Sequence, residues 1–410
     1  MSQTLTIATL GAQGDGIAET PQGPVFVPFA LPGETVRAEV GKGKAVLEEV
    51  LTPAPERAVP ACRHFTDCGG CAVQHLGAAS YADWKREKLV RALTMRGIEA
   101  EVAPLIGCPP ASRRRVTFTA RKLKDKVLLG YNAAQSHRII DIEECPIALP
   151  SIVAAKEDIR QLAGLLAATP KPFRITVTAT ATGLDVSVDG AGRLGEKQRR
   201  KAVDLALGAG FARVVAGGEA LVESARPKVI FGGIAVSLPP GGFLQAVETA
   251  EEAMAGLVRD HLAGSNFTAD LFAGSGTFAL RLARQGRVHA VEGDAAALAA
   301  LDEAARLSPQ LKPVTSERRD LYNRPLLARE LDRFDGLVFD PPRAGAEDQC
   351  RQIAKSKIRR IAAVSCNPGT LARDLATLLE GGYRITRVTP IDQFLWSPHV
   401  EAVALLERGR

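Results

Sequence analysis

The chain has 410 residues, 46% hydrophobic and 24% charged, with a formal net charge of +6; this exceeds one ordinary core and predicts two or three domains. It contains no apolar run of the roughly 18 residues a membrane span needs, and Met1–Asp15 is polar and turn-rich, so a span and a secretion signal are excluded and a cytoplasmic protein is expected. Seven cysteines without a leader point to metal binding or catalysis instead of a disulfide framework, and the positive excess suits either an acidic partner such as RNA or plain solubility.

In chain order, Leu5–Thr9, Val25–Phe29, Thr35–Val40 and Lys44–Leu51 read as short strands separated by turn residues, including Gly14, Gly16 and Gly33. That spacing predicts a small β-barrel. Pro53–Pro60 reads as a linker, followed by Cys62, Cys68 and Cys71 and then an amphipathic helix from about Ser80 to Arg96. Residues 113–240 mix hairpin-like strands with two helices, an α+β pattern. From Gly241 onward the chain alternates regularly. Strands are expected at Thr268–Phe272, Val288–Glu292, Lys312–Ser316, Asp335–Asp340 and Arg359–Cys366, with helices between them and two closing strands at Arg384–Pro390 and Ala402–Leu406. This predicts a doubly wound, mainly parallel sheet.

The first strand of that sheet runs into Asp270-Leu271-Phe272-Ala273-Gly274-Ser275-Gly276-Thr277. Gly274 and Gly276 let backbone pass under a nucleotide, and Glu292 ends the second strand where a ribose-binding carboxylate would sit. Nicotinamide and S-adenosylmethionine enzymes share both features. Asp340-Pro341-Pro342-Arg343 and Ser365-Cys366-Asn367-Pro368 end neighbouring strands, so both point into the crevice where open α/β sheets bind ligands. Arg343 in place of an aromatic residue disfavours amine methylation. Cys366 suits a different chemistry. Uracil C5 is a poor nucleophile until a thiolate adds at C6, and a base must later remove the C5 proton. Cys366 precedes a helix start, which is expected to lower its pKa. Glu401 and His399 are the two candidate bases.

Cys62, Cys68, Cys71 and the distant Cys145-Pro146 supply four soft ligands, suited to an iron–sulfur cluster or to zinc. Cys108 and Cys350 read as structural. Arg113-Arg114-Arg115 with Arg121, Lys122, Lys124 and Lys126, interrupted by Phe118 and flanked by Tyr131, could neutralise phosphates and offer rings for stacking; a solvated hairpin face is the competing reading.

Together these motifs resemble the RNA uracil-C5 methyltransferases, and are most similar to the iron–sulfur-bearing 23S ribosomal RNA (uracil-5-)-methyltransferases. The resemblance covers nearly the whole chain. It implies a TRAM RNA-binding barrel over residues 1–58, carried by Gly14-Asp15-Gly16-Ile17-Ala18 and Leu31-Pro32-Gly33-Glu34-Thr35-Val36. A central iron–sulfur and RNA-binding domain is implied over 59–240, and a class I S-adenosylmethionine-dependent methyltransferase domain with a Rossmann-like sheet over 241–410; in this family the helix after the cysteine cluster can pack on the catalytic domain instead, which leaves the boundary around residues 80–110 open. Cys62, Cys68, Cys71 and Cys145 match the family's [4Fe-4S] ligands. Gln245 of Gly242-Phe243-Leu244-Gln245, with Phe272, Thr277, Glu292, Asp320 and Asp340, falls on cofactor-contacting positions. Ser365–Leu375 matches the nucleophile motif around Cys366, and Glu401 falls on the proton-abstracting glutamate. Thr277 stands where some members have Asn, and Gly369 where Ala or Val is frequent.

The expectation is therefore a monomeric enzyme that methylates carbon 5 of a uridine in RNA, ribosomal first and transfer RNA as the alternative. The target base must leave its stack to reach Cys366. A nicotinamide-dependent iron–sulfur oxidoreductase would explain the glycine turn but gives no role to Cys366 or Asp340-Pro341-Pro342. A non-catalytic RNA-binding factor would not need the full set of catalytic residues.

Overall fold

The computed structural model describes residues 2–41 and 43–409. The N-terminal segment forms two three-stranded antiparallel sheets, one of Ser2–Thr6, Thr35–Val40 and Ala45–Thr52, the other of Thr9–Leu10, Gly16–Thr20 and Gly23–Val27. Alternate residues such as Val36 and Ala38, or Val25 and Val27, turn inward and close on one core. The strand Gly16–Thr20 was not anticipated, because its glycine reads as a turn. Gly16 is there for room: a Cβ would lie 2.7 Å from the Ala30 carbonyl oxygen. The buried carboxylate of Glu34 accepts from the Leu31 and Ala54 amides at 2.8 and 3.2 Å and from Arg57 Nη2 at 2.7 Å, tying this unit to the chain that leaves it.

A seven-stranded sheet follows, in the order Glu219–Glu223, Arg213–Ala216, Gly183–Asp189, Phe173–Thr180, Arg115–Lys122, Val127–Asn132 and Ile139–Asp141. The helices Lys156–Leu166 and Glu196–Gly208 pack over it around one core. Val116, Phe118 and Ala120 point into that core with the two-residue period of a strand.

The helix α1 (Ala78–Thr94) lies within the expected 59–240 segment, yet Leu89 and Leu93 share a core with Leu371 and Leu375 of the C-terminal sheet. The chain after it continues on that sheet, with Val102 and Ile106 bridging to Val388 and Ile391.

The C-terminal sheet contains β1 (Phe267–Leu271), β2 (Arg287–Glu292), β3 (Val314–Arg318), β4 (Gly336–Phe339), β5 (Arg360–Ser365), β6 (Tyr383–Ile391) and β7 (Glu401–Arg408). Their spatial order is β3-β2-β1-β4-β5-β7-β6. The first five are parallel and β7 runs antiparallel between β5 and β6. Apolar clusters cover both faces, which explains the near-continuous apolar runs of β1, β4 and β5. The helix α2 (Glu248–His261) lies on one face, and α3 (Pro368–Glu380) packs with α1 on the other.

One ion cluster joins the central and C-terminal sheets. Glu251 of α2, with no exposed side-chain surface, meets Arg114 Nη2 at 2.5 Å and Arg281 Nη2 at 2.8 Å. Burial raises its pKa against the pull of both guanidinium groups. Glu251→Gln would remove the charge shared by both guanidinium groups, leaving Arg114 with the Gln245 carbonyl and Arg281 with Glu252 and the Thr277 carbonyl, so a loss of about 3 kcal/mol is expected, read as a lower urea midpoint. An unchanged midpoint would mean that the cluster contributes nothing net. Among the described residues, no helix is long and apolar enough to cross a membrane.

Candidate active site

The carboxyl edge of the parallel strands gathers most of the residues singled out in the sequence. After β1 the chain turns through Phe272 at φ 61°, Gly274 at φ 53° and Gly276 at φ 99°. Phe272 is a non-glycine residue in the left-handed region, a strain that marks functional turns. At Gly276 a Cβ would come within 3.0 Å of Leu280 and 3.1 Å of Leu301, so close helix packing requires glycine. The Gly274 amide donates to Glu292 Oε2 at 2.9 Å and the Asp294 amide to Oε1 at 2.8 Å, which fixes the Glu292 carboxylate beside the turn. Each of its oxygens keeps a lone pair for a ribose hydroxyl. Thr277 contributes its carbonyl to Arg281 Nη1 at 2.7 Å. Asp320, beyond β3, is exposed and accepts from Asn323 Nδ2 at 2.6 Å and the Tyr322 amide at 2.9 Å; the Asn323 bond leads in lowering its pKa. The Tyr322 ring lies 5.6 Å from that of Phe272, giving this side of the crevice an aromatic wall.

The ladder between β5 and β7 pairs Ser365 with Ala402. The next residue of each strand at that end is Cys366 and Glu401, so antiparallel pairing brings together two residues 35 positions apart in the sequence. Asp340 follows β4 on the neighbouring strand, its amide bonded to the Leu271 carbonyl at 3.3 Å. Burial, and then the mutual repulsion of Glu401 and Asp340, raise the Glu401 pKa; burial also raises that of Asp340, against a hydrogen bond from Gln245. Gln245 Nε2 donates to Asp340 Oδ2 at 3.0 Å. Asn367 caps α3, accepting from the Gly369 amide at 3.1 Å and donating to the Arg343 carbonyl at 3.2 Å.

The expected lowering of the Cys366 pKa by the helix start is corrected. Burial, then the Glu401 and Asp340 carboxylates, push the thiol up to about 11, and Arg343 offsets only part of this. A helix terminus contributes a partial charge, and desolvation plus two nearby carboxylates outweigh it. His399, the rival base, has an exposed ring in the segment between β6 and β7, and burial with four nearby cations lowers its pKa. Glu401, by contrast, is 2% exposed and lies within the electrostatic reach of Cys366.

That β6–β7 segment is anchored by side chains that the sequence did not advertise. Lys85 of α1, fully buried, donates to Asp392 Oδ1 at 3.1 Å, to the Phe394 carbonyl at 3.1 Å and to the His399 carbonyl. Tyr81, one turn earlier, donates to Asp392 Oδ2 at 2.5 Å and accepts from the Trp396 amide at 2.9 Å. Trp396 sits at φ 57°. Only the i, i+4 spacing of Tyr81 and Lys85 could have hinted that one helix face carries both.

Two cavities meet near His399. One, of about 340 Å³, opens between the N-terminal barrel, α1 and the end of β5; Gln13, Trp84, Lys88, Arg91, Arg343 and Cys366 line it. The other, of about 420 Å³, is bordered by Cys62, Cys68, Cys71 and Cys145 on one side and by Gln245 and Gln393 on the other. Burial pushes the Cys71 thiol up to about 12. Among the described residues, no three His, Cys, Asp or Glu side chains converge closely enough to hold a single metal ion. The four thiols form a soft donor set of the kind that suits an iron–sulfur cluster or zinc, with His64 and Glu144 lining the same cavity. Cys350 is buried in the α1–α3 core and Cys108 is half-buried against the core under α2.

The basic stretch divides. Phe118 is 2% exposed in the central core, so the expected stacking ring is not available, and Arg114 is committed to Glu251. Strand alternation turns these two inward. Arg121 and Lys122 are exposed but bond the Pro170 and Gly164 carbonyls at 3.1 and 2.9 Å, while Lys124 and Lys126 are exposed on the hairpin turn. Arg113 faces the second cavity, its guanidinium 5.8 Å from the Phe394 ring centroid.

The sheet order, the glycine turn with its anchored glutamate and a cysteine at the tip of β5 define a class I methyltransferase fold. The sequence profile of the tRNA (Uracil-5-)-methyltransferase family matches residues 240–409, and that of the TRAM domain matches residues 2–45. An uncharacterized RNA methyltransferase of Mesorhizobium japonicum is 57% identical over 100% of this chain and 99% of its own length. A 23S rRNA (uracil(1939)-C(5))-methyltransferase of Halomonas elongata is 34% identical over 98% of this chain and 89% of its own. The fold is shared with the tRNA (uracil-54, C5)-methyltransferase of Pyrococcus abyssi, solved with S-adenosyl-L-homocysteine, at 22% identity and a TM-score of 0.76 over 98% of this chain and 100% of that one. The chain belongs to the RNA uracil-C5 methyltransferases and carries an N-terminal TRAM domain. The oxidoreductase and non-catalytic readings are thereby set aside.

Proposed function

We propose that this enzyme methylates carbon 5 of a uridine in 23S ribosomal RNA, with Cys366 as the covalent nucleophile and Glu401 as the base. The adjacency of Cys366 and Glu401 at the end of the β5–β7 ladder carries this reading. The ribosomal substrate is supported by the Halomonas elongata relative, which spans both chains almost fully. The anchored Glu292 carboxylate, the Phe272–Tyr322 wall, Gln245 and Asp340 fit S-adenosylmethionine, with Gly274, Gly276, Thr277 and Asp320 framing the same crevice. When bound there, the cofactor supplies an electrophilic methyl group.

The chain's own residues do the rest. Cys366 gives up its proton to solvent in the open cavity and, as the thiolate, forms a sulfur–carbon bond at C6, which moves the C5–C6 electron pair toward C5 and O4. Once C5 bears the methyl group, Glu401 takes the C5 proton. The C–H electron pair restores the double bond, and Cys366 leaves as the thiolate. The cavity at the mouth of Cys366, with Lys88, Arg91 and Arg343 on its walls, would receive a uridine turned out of its stack. Because the free thiol sits at about 11, the thiolate fraction grows about tenfold per pH unit below that value. The rate of adduct formation with RNA containing 5-fluorouridine should therefore climb through the neutral range. A profile flat from pH 6 to 8 would mean that the thiolate is already formed.

Cys62, Cys68, Cys71 and Cys145 would hold a [4Fe-4S] cluster that fastens the cysteine loop to the central sheet. Zinc, held by the same four thiolates, is the alternative. Iron and acid-labile sulfide in equal amounts in anaerobically purified protein are expected; zinc alone would contradict this. Mass spectrometry of 5-methyluridine in ribosomal and transfer RNA, with and without the gene, tests the substrate: loss from 23S RNA is expected, and loss from transfer RNA alone would redirect the assignment.

A further inference from the structure

The segment between β6 and β7 contains a buried amide with an unusual set of partners. Gln393 is 3% exposed. Its Oε1 accepts the Ala246 backbone N–H at 3.0 Å, and its Nε2 donates both to Glu401 Oε2 at 2.6 Å and to Gln245 Oε1 at 2.7 Å. The backbone donor determines which way round this amide lies. Reversing it would set Oε1 against the Glu401 carboxylate and leave the Ala246 N–H without a partner. The same logic passes to Gln245. Because its Oε1 accepts from Gln393, its Nε2 faces Asp340 Oδ2 at 3.0 Å. Two glutamines thus form one directed chain from a main-chain N–H to the two carboxylates beside Cys366.

We propose that Gln393 is a positioning residue for C5-proton abstraction: its amide holds Glu401 in one orientation beside Cys366 and, through Gln245, links it to Asp340. This rests on Glu401 being the base. In the step it serves, the C5–H bond breaks, the proton passes to Glu401, the freed electron pair re-forms the C5–C6 double bond and the C6–sulfur bond breaks. Gln393 itself neither gains nor loses an atom. An N–H donor bonds the ionised carboxylate more strongly than the protonated acid, so it also favours the basic form. The titratable groups facing Glu401 are Asp340 at the end of β4 and Cys366 at the end of β5. Both are acids, so the Gln393 N–H is the counterweight to two repelling neighbours.

Gln393→Met keeps length and volume but removes the donor. Sulfur addition and methylation come before proton removal, so this variant should still form the 5-fluorouridine adduct within about threefold of the wild-type rate. Turnover on ordinary uridine RNA should fall by about 10- to 100-fold, the cost of a misplaced base. Methylated protein–RNA adduct should then accumulate on denaturing gels, and the acid limb of turnover should shift to higher pH. Gln393→Glu, which keeps length and an acceptor for Ala246, should accumulate the same adduct and covers the case in which the methionine variant does not fold. Turnover and pH profile equal to wild type would overturn this role, as would adduct formation and turnover falling in parallel. A wild type that forms no 5-fluorouridine adduct overturns the covalent mechanism, and this role with it. A wild type that does, beside a variant equally fast on uridine, overturns the role of Gln393 alone.

Discussion

Replacing Cys366 with alanine is expected to reduce 5-methyluridine formation by at least about 10⁴-fold, the scale of losing a covalent nucleophile from a preorganised site. The magnitude follows from the chemistry. Without a bond at C6, carbon 5 has too little electron density to attack a methyl group, and no other nucleophile ends β5, where Ser365 points its hydroxyl to the Asn367 carbonyl at 3.3 Å. The loss should be confined to turnover. Cys366 belongs to none of the buried core clusters, so the variant should melt with the wild type and bind S-adenosylhomocysteine as tightly in a calorimeter. Residual methylation within tenfold of wild type would remove the covalent step from the mechanism.

The second large effect concerns stability. Lys85 and Asp392 both have fully buried side chains, and Lys85→Met leaves the Asp392 carboxylate with Tyr81 and the Phe394 amide as its remaining donors. Breaking a buried pair from one side costs about 3–5 kcal/mol, so a loss of this order in denaturant unfolding is expected, together with loosening of residues 392–400. That segment leads into Glu401, so turnover should fall as well. Hydrogen exchange should locate the change: faster exchange around Trp396 and His399, little at β1–β4. If Lys85→Met matches wild type in both stability and exchange, the anchor is not what orders the segment.

The elements legible in the sequence are those governed by local pattern. The β1, β2, β4 and β5 strands fell within one or two residues of expectation, because strands buried on both faces read as apolar runs bounded by turns. The strand Gly16–Thr20 escaped because Gly16 serves close packing instead of a turn. Phe118 looked like a base-stacking ring because a run of charges hides the period-two alternation that buries it. The partnership of α1 with the C-terminal sheet was open only through the family resemblance, not through local pattern. Lys85 and Asp392 lie 307 residues apart, and nothing local to either announces the other.

The site shows the same division. Cys366, Glu292 and Asp340 stand out because strand-end motifs carry a recognisable spacing, and the ladder register then explains why Glu401 comes beside Cys366. Gln393 has no such signature. Its significance lies in three bonds, to Ala246, Gln245 and Glu401, the first two reaching back almost 150 residues. The protonation of Cys366 was misjudged for a related reason: the helix terminus is visible in the sequence, whereas burial and the two carboxylates that oppose it are not.

The whole reaction turns on a bond between the Cys366 sulfur and uridine C6. Incubating the enzyme with S-adenosylmethionine and 23S RNA fragments carrying 5-fluorouridine, then digesting and mapping the cross-linked peptide by mass spectrometry, tests it directly, because fluorine at C5 cannot be abstracted as a proton and the adduct stalls. One modified peptide is expected, with the nucleotide on Cys366. An adduct on any other residue, or none with RNA that is otherwise methylated, would contradict it.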